Sequence, residues 1–117
     1  ALTPPGFAIY AGDDVLTLPI LAVGGCGVVS VASHLVGDRL QTMIKHFQGG
    51  QTDQALAIHL MLIPLFKALF CSTNPIPVKT ALRLQQWSVG GLRPPLADLS
   101  SSQAEYLKTV LKDFDLL

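Results

Sequence analysis

Two kinds of hydrophobic spacing alternate over the first fifty residues, and one kind fills the rest. Phe7-Ala-Ile-Tyr-Ala11 is a short unbroken apolar run closed by Gly12-Asp13-Asp14. That is the pattern of a buried strand turning into a helix with carboxylates at its N-terminus. The helix is expected to begin within residues 14 to 17, because Pro19 is best tolerated in a first turn, and to stop at Gly24-Gly25. Gly27-Val-Val-Ser-Val31 follows. It is rich in β-branched residues and apolar on both sides of the pleat, as in a parallel sheet covered by helices. Residues 7–11 and 27–31 thus read as the two strands of one β-α-β unit.

Helical spacing takes over from there. Leu40, Met43, Ile44 and Phe47 fall at i, i+3, i+4 and i+7, one apolar face of a helix closed by Gly49-Gly50, with Arg39, Gln41, Lys45 and Gln48 on the solvated side. Thr52 to Phe70 is apolar nearly all round, so it must be covered on several sides, and Pro64 inside it removes a backbone donor and predicts a bend. Asn74-Pro75-Ile76-Pro77 offers a cap residue and early prolines for a helix running to Trp87 and ended by Gly90-Gly91. Arg93-Pro94-Pro95-Leu96 reads as an extended link. Ser102-Gln-Ala-Glu105 has capping-box spacing, and Ala104, Leu107, Val110, Leu111 and Phe114 form the inner stripe of a last helix. The expected order is β-α-β-α-α-α-α.

A parallel sheet of two strands has two open edges, and such sheets normally sit inside larger, covered α/β structures. The missing strands must come from another chain or from a longer parent. Strand-helix-strand-helix at this spacing suits the end of an eight-stranded barrel of about 250 residues. The expected class is therefore α/β, a C-terminal fragment of a (β/α)8 TIM barrel.

Composition narrows the picture without changing it. The 117 residues suffice for one domain, and 50% apolar against 14% charged excludes a disordered tail. Eight basic residues balance eight acidic ones, so no positive field exists to gather nucleic acid or anionic lipid. Cys26 and Cys71 fit neither a metal-ligand spacing nor a disulfide framework, which points to a reducing cytoplasm. The most apolar stretch, Leu60-Met-Leu-Ile-Pro-Leu-Phe66, lies between His59 and Lys67 and falls well short of the roughly 20 residues of a membrane span. Ala1-Leu-Thr-Pro-Pro-Gly6 has no initiating methionine and none of the features of a signal peptide, so the chain is expected to begin in mid-protein.

Four segments carry a resemblance: Gly6-Phe-Ala-Ile-Tyr-Ala-Gly-Asp-Asp14, Leu18-Pro19, Gly24-Gly-Cys-Gly-Val-Val-Ser-Val31, and above all Asn74-Pro-Ile-Pro-Val-Lys79. In order and spacing they resemble the dihydrodipicolinate synthase family, over about Gly6 to Leu117, including Leu92-Arg-Pro-Pro-Leu96. The resemblance implies a (β/α)8 barrel, usually homotetrameric, that joins pyruvate to L-aspartate semialdehyde through a Schiff base on a barrel lysine in the diaminopimelate route to lysine. It implies that residues 1–50 are the last two β/α units of that barrel, with 7–11 and 27–31 its last strands, and that residues 51–117 are a C-terminal helical domain. It also implies that this lysine, the proton-relaying tyrosines and threonine, the arginine that holds the second substrate, and the lysine-feedback site lie upstream of these residues. No cofactor is implied. Two positions match residues around the pyruvate: Gly12, at the end of the first strand, and Val29, where the family commonly has isoleucine. His34 stands where the family often has asparagine, and no role is assigned to it.

Other chemistry-bearing residues have plainer explanations. Asp13 and Asp14 are adjacent, point in different directions and read as helix caps, not as an acid-base pair. Gly24-Gly-Cys-Gly27 follows a helix and precedes a strand, the reverse of a dinucleotide-binding loop. His34, His46 and His59 form no metal motif, Cys26 reads as a packing residue, and none of Lys45, Lys67, Lys79, Lys108 or Lys112 ends a strand. Three alternatives remain open: a stand-alone helical interaction module, one half of a two-piece enzyme, and part of a sibling pyruvate aldolase.

Overall fold

The computed structural model describes residues 3–117; the expectation about the chain's beginning falls in part on Ala1 and Leu2, outside them. Strand β1 (Tyr10–Ala11) is followed by a 3-10 turn (Asp14–Leu16), helix α1 (Thr17–Ala22) and strand β2 (Gly27–Val28). Helices α2 (Ser33–Gln48), α3 (Thr52–Ala68), α4 (Ile76–Leu84) and α5 (Ser101–Asp113) complete the chain. The element order is the expected one, and the strands pair in parallel, Tyr10 with Gly27 and Ala11 with Val28.

The ladder is shorter than residues 7–11 and 27–31 suggested. Cys26 N–H donates to Ile9 O at 2.7 Å and Val29 N–H to Ala11 O at 2.9 Å, and no pairing extends further in either direction. Each strand has one neighbour among the described residues, so one edge of each stays unpaired.

The hydrophobic core belongs to the helices. Leu40 and Met43 of α2, Leu62, Leu65 and Phe66 of α3, Val78 and Ala81 of α4, and Leu107 and Leu111 of α5 form one buried cluster. Val15 and Leu18 from the strand-helix layer rest against it half-buried. The core is continuous across Gly50, so α2 packs with the helices that follow it. α3 runs through Pro64 and buries Leu62, Leu65 and Phe66 on one side, but it is not covered all round as its apolar sequence suggested: Leu56, Leu60 and Met61 are exposed. Arg39 is not fully solvated as its position suggested: its guanidinium lies 5.8 Å from the Phe114 ring centroid and donates to Phe114 O.

Helix ends explain most departures from the sequence reading. α1, α2, α4 and α5 all close with a left-handed residue, Gly24, Gly50, Gln86 or Asp115. At each, that residue's N–H and the next one bond back to carbonyls of the last turn, as in Trp87 N–H to Leu82 O at 2.9 Å and Leu116 N–H to Leu111 O at 2.9 Å. This Schellman closure satisfies the orphan carbonyls of the last turn. It stops α4 at Leu84, short of Trp87, which is exposed. At the start of α4 the cap position is Pro75 with no side-chain cap, so Asn74 does not take the expected role. The capping box of α5 lies two residues earlier than expected: Ser100 accepts from Gln103 N–H, and the Gln103 side chain accepts from Ser100 N–H.

The radius of gyration is 15.7 Å, against about 13 Å for a compact domain of about 100 residues. The accessible surface is 7165 Å² for a 12.5 kDa chain, where a folded monomer of that mass exposes roughly 6,200 Å². Exposed apolar side chains lie on the strand layer, at Phe7, Ile9, Tyr10 and Val29, and on α3, at Leu56, Leu60 and Met61.

Candidate functional site

The register of the sheet defines the site. Because Ala11 pairs with Val28, Gly12 and Val29 are the next residues on each strand and stand side by side at its C-terminal end. In (β/α)8 barrels that end carries the active site, and the opposite end carries stability. Val29 is 74% exposed despite being apolar. A Cβ placed on Gly12 would meet nothing within 4 Å, so packing within this chain does not require glycine there.

The loop at the opposite end has the opposite character. Gly24 has a φ of +98°, and a Cβ on Gly25 would lie 2.3 Å from Ile20 Cγ2 and 2.8 Å from Ile20 O. Both glycines are demanded by the turn itself, in keeping with the tight-turn reading. Cys26, expected to pack, is exposed there, since no described residue covers that edge of the sheet.

The two aspartates divide their work. Asp13 caps the 3-10 turn, accepting from Val15 N–H at 3.2 Å, as expected. Asp14 does not cap its own helix. It is 1% exposed and reaches across to the segment after β2, accepting the Ser30 hydroxyl, Val31 N–H at 3.1 Å and Ala32 N–H at 3.0 Å. Sequence reasoning missed this contact, since the partners lie 16 to 18 residues away and meet only once the strands pair.

All five lysines lie on helices. Lys79, in the most diagnostic motif, donates from Nζ to Gly91 O at 2.5 Å, tying α4 to the segment after it. Lys67 of α3 shares a small cleft of about 180 Å³ with Asp13, Val15, Phe66 and Phe70, near the C-terminal end of β1. A larger cavity, about 440 Å³, lies elsewhere, among Asp38, Arg39, Thr42, Ile58, Met61 and the end of α5. It includes no residue of the strand ends, and its one cation is engaged with Phe114. Burial raises the Cys71 thiol and lowers the His59 imidazole relative to their ordinary values; neither residue adjoins the strand ends in sequence. Among the described residues no three His, Cys, Asp or Glu side chains gather as metal ligands, and no helix is long and apolar enough to cross a membrane.

Comparison with known proteins shows the family and the fold. The 4-hydroxy-tetrahydrodipicolinate synthase of Synechocystis sp. is 72% identical over 117 residues, covering 100% of this chain and 39% of that protein. A crystal structure of the enzyme from Cyanidioschyzon merolae with lysine bound superposes with a TM-score of 0.95 at 50% identity, over 98% of this chain and 39% of that one. The chloride-inhibited enzyme from Acinetobacter baumannii, complexed with pyruvate, gives a TM-score of 0.88 at 30% identity, over 95% of this chain and 38% of that one. This chain therefore spans about two fifths of the length of the relatives it matches. The family model described as the dihydrodipicolinate synthetase family matches residues 1–114, and the chain belongs to that family.

Proposed function

We propose that the chain forms the closing part of a (β/α)8 lyase that condenses pyruvate with L-aspartate semialdehyde in lysine biosynthesis. β1 and β2 are the last two barrel strands, residues 1–50 the last two β/α units, and residues 51–117 the helical domain behind them. Gly12 and Val29 form one wall of the pyruvate pocket. The side-by-side placement of these two residues at the C-terminal strand ends carries the reading, because that is where such a barrel holds its ligand. The exposed apolar face of the strand layer supports it, being the surface that neighbouring strands and helices of a barrel cover.

In this reading the Schiff-base lysine belongs to the rest of the barrel. An iminium on that lysine acts as an electron sink and stabilises the carbanion that attacks the aldehyde. This chain contributes the shape of the pocket and leaves proton transfer to other parts of the enzyme. By itself it is inactive, and the complete enzyme is a cytoplasmic homo-oligomer, a tetramer by family resemblance.

Borohydride trapping with pyruvate, read by intact mass after limited proteolysis of the complete enzyme, tests the proposal. The adduct is expected outside residues 1–117. An adduct on Lys67, the lysine that lines a cleft with Asp13, or on any other lysine of this chain overturns the assignment.

A further inference from the structure

A side chain takes over from the backbone ladder just past the two pocket walls. The ladder ends where Val29 N–H meets Ala11 O at 2.9 Å. Beyond it one strand enters the 3-10 turn and the other enters α2, and the connection passes to the carboxylate of Asp14. One of its oxygens accepts the Ser30 hydroxyl, and the other accepts Val31 N–H at 3.1 Å and Ala32 N–H at 3.0 Å. The Ser30 oxygen in turn accepts Ser33 N–H at 2.8 Å. Asp14 follows Gly12 by two residues and Ser30 follows Val29 by one, so the carboxylate ties together the backbone just past each wall.

The same carboxylate serves α2. The cap residue of that helix, Ala32, has no side-chain cap of its own, and Asp14 supplies the acceptor from another element. Charge-assisted bonds of this kind are shorter and stronger than neutral ones. Removing the acceptor leaves buried donors unpaired, and the segment carrying Val29 must move to find replacements.

We infer that Asp14 is a positioning residue for the 2-oxo-acid pocket. It sets the separation of Val29 from Gly12, and so the fit of pyruvate, with its own acceptor sites filled by the protein. The inference rests on Gly12 and Val29 being pocket walls.

The test uses a full-length chimaera in which this chain replaces the aligned two fifths of the Synechocystis relative. Asp14→Ala is expected to raise the pyruvate KM roughly tenfold, while kcat and the KM for aspartate semialdehyde change little. Asp14→Asn keeps the shape: its amide oxygen can still accept both N–H groups and its NH2 can donate to Ser30. It is expected to restore most of the loss, which a general weakening of the fold would not produce. A folded Asp14→Ala enzyme with unchanged pyruvate KM overturns the inference, and so does one in which kcat and both KM values deteriorate together. If Asp14→Ala does not fold, Ser30→Ala, which removes one of the three bonds to the carboxylate, takes its place, and an unchanged pyruvate KM in it overturns the inference equally. Gly12→Ala and Val29→Ala separate the two claims. If these raise the pyruvate KM and the Asp14 variants do not, the positioning role alone fails; if none of them does, the pocket assignment itself fails.

Discussion

The strand layer and the helical bundle of this chain solve the problem of burial differently. The bundle holds the core. α2, α3, α4 and α5 close around one cluster in which Leu62, Leu65, Leu107 and Leu111 are wholly buried. The strand layer leaves Phe7, Tyr10 and Val29 exposed and is joined across its C-terminal end by a buried carboxylate. Apolar burial is non-directional and tolerates relaxation, whereas a desolvated carboxylate holds its donors at fixed distances. The bundle therefore supplies stability, and the strand layer supplies the geometry at which the proposed pocket is built.

If that division is right, the largest effect on folding comes from the bundle. Phe66→Ala empties a fully buried site between α3 and its neighbours and should destabilise the chain by about 3–5 kcal/mol in urea unfolding. A loss below about 1 kcal/mol would mean that the bundle is not the stabilising unit, since core truncations of this kind rarely cost so little.

A smaller effect follows from pH. His59 on α3 is 8% exposed, its Nδ1 has no hydrogen-bond partner, and burial lowers its pKa below the ordinary 6.5. The fold disfavours the imidazolium, so the unfolded chain takes up the proton first. Stability is then full above about pH 6.5 and falls as the pH drops through that value, by at most about 1.4 kcal/mol per unit. Urea midpoints at pH 7.5 and 5.5 should show the decline in the parent, and His59→Leu should reduce it. An equal decline in both proteins would place the titration elsewhere.

The smallest effect belongs to the strand layer. Val29→Ala should change the stability of the chain by no more than about 0.5 kcal/mol, since the side chain is solvated. A larger loss would show that Val29 packs within the chain and is not held free for a ligand.

The parts of the fold legible in the sequence were those set by local pattern. The β-α-β order, the Leu40–Phe47 face and the α5 stripe follow from spacing alone. Helix ends were legible where glycine marks them, at Gly24 and Gly50, and not where Gln86 takes the same left-handed conformation without that marker. The capping box was misplaced because Ser100, Ser101 and Ser102 offer overlapping starts. Ser100 prevails with Leu99, the residue before it, packed half-buried against the core. Of the site, Gly12 and Val29 could be named, but Asp14 could be read only as a cap, because its true partners become neighbours through tertiary pairing.

The unpaired edges of β1 and β2 have a consequence for solubility. Wherever the sheet stands without its neighbours, those edges display free N–H and C=O groups. Any extended segment, including the same strand of another copy, can add to such an edge and seed aggregation. A regular ladder of two residues per strand gives an intruder little to grip, and native sheets use very short edge strands in this way to stay soluble. The brevity of the sheet thus protects the chain whenever its neighbours are displaced.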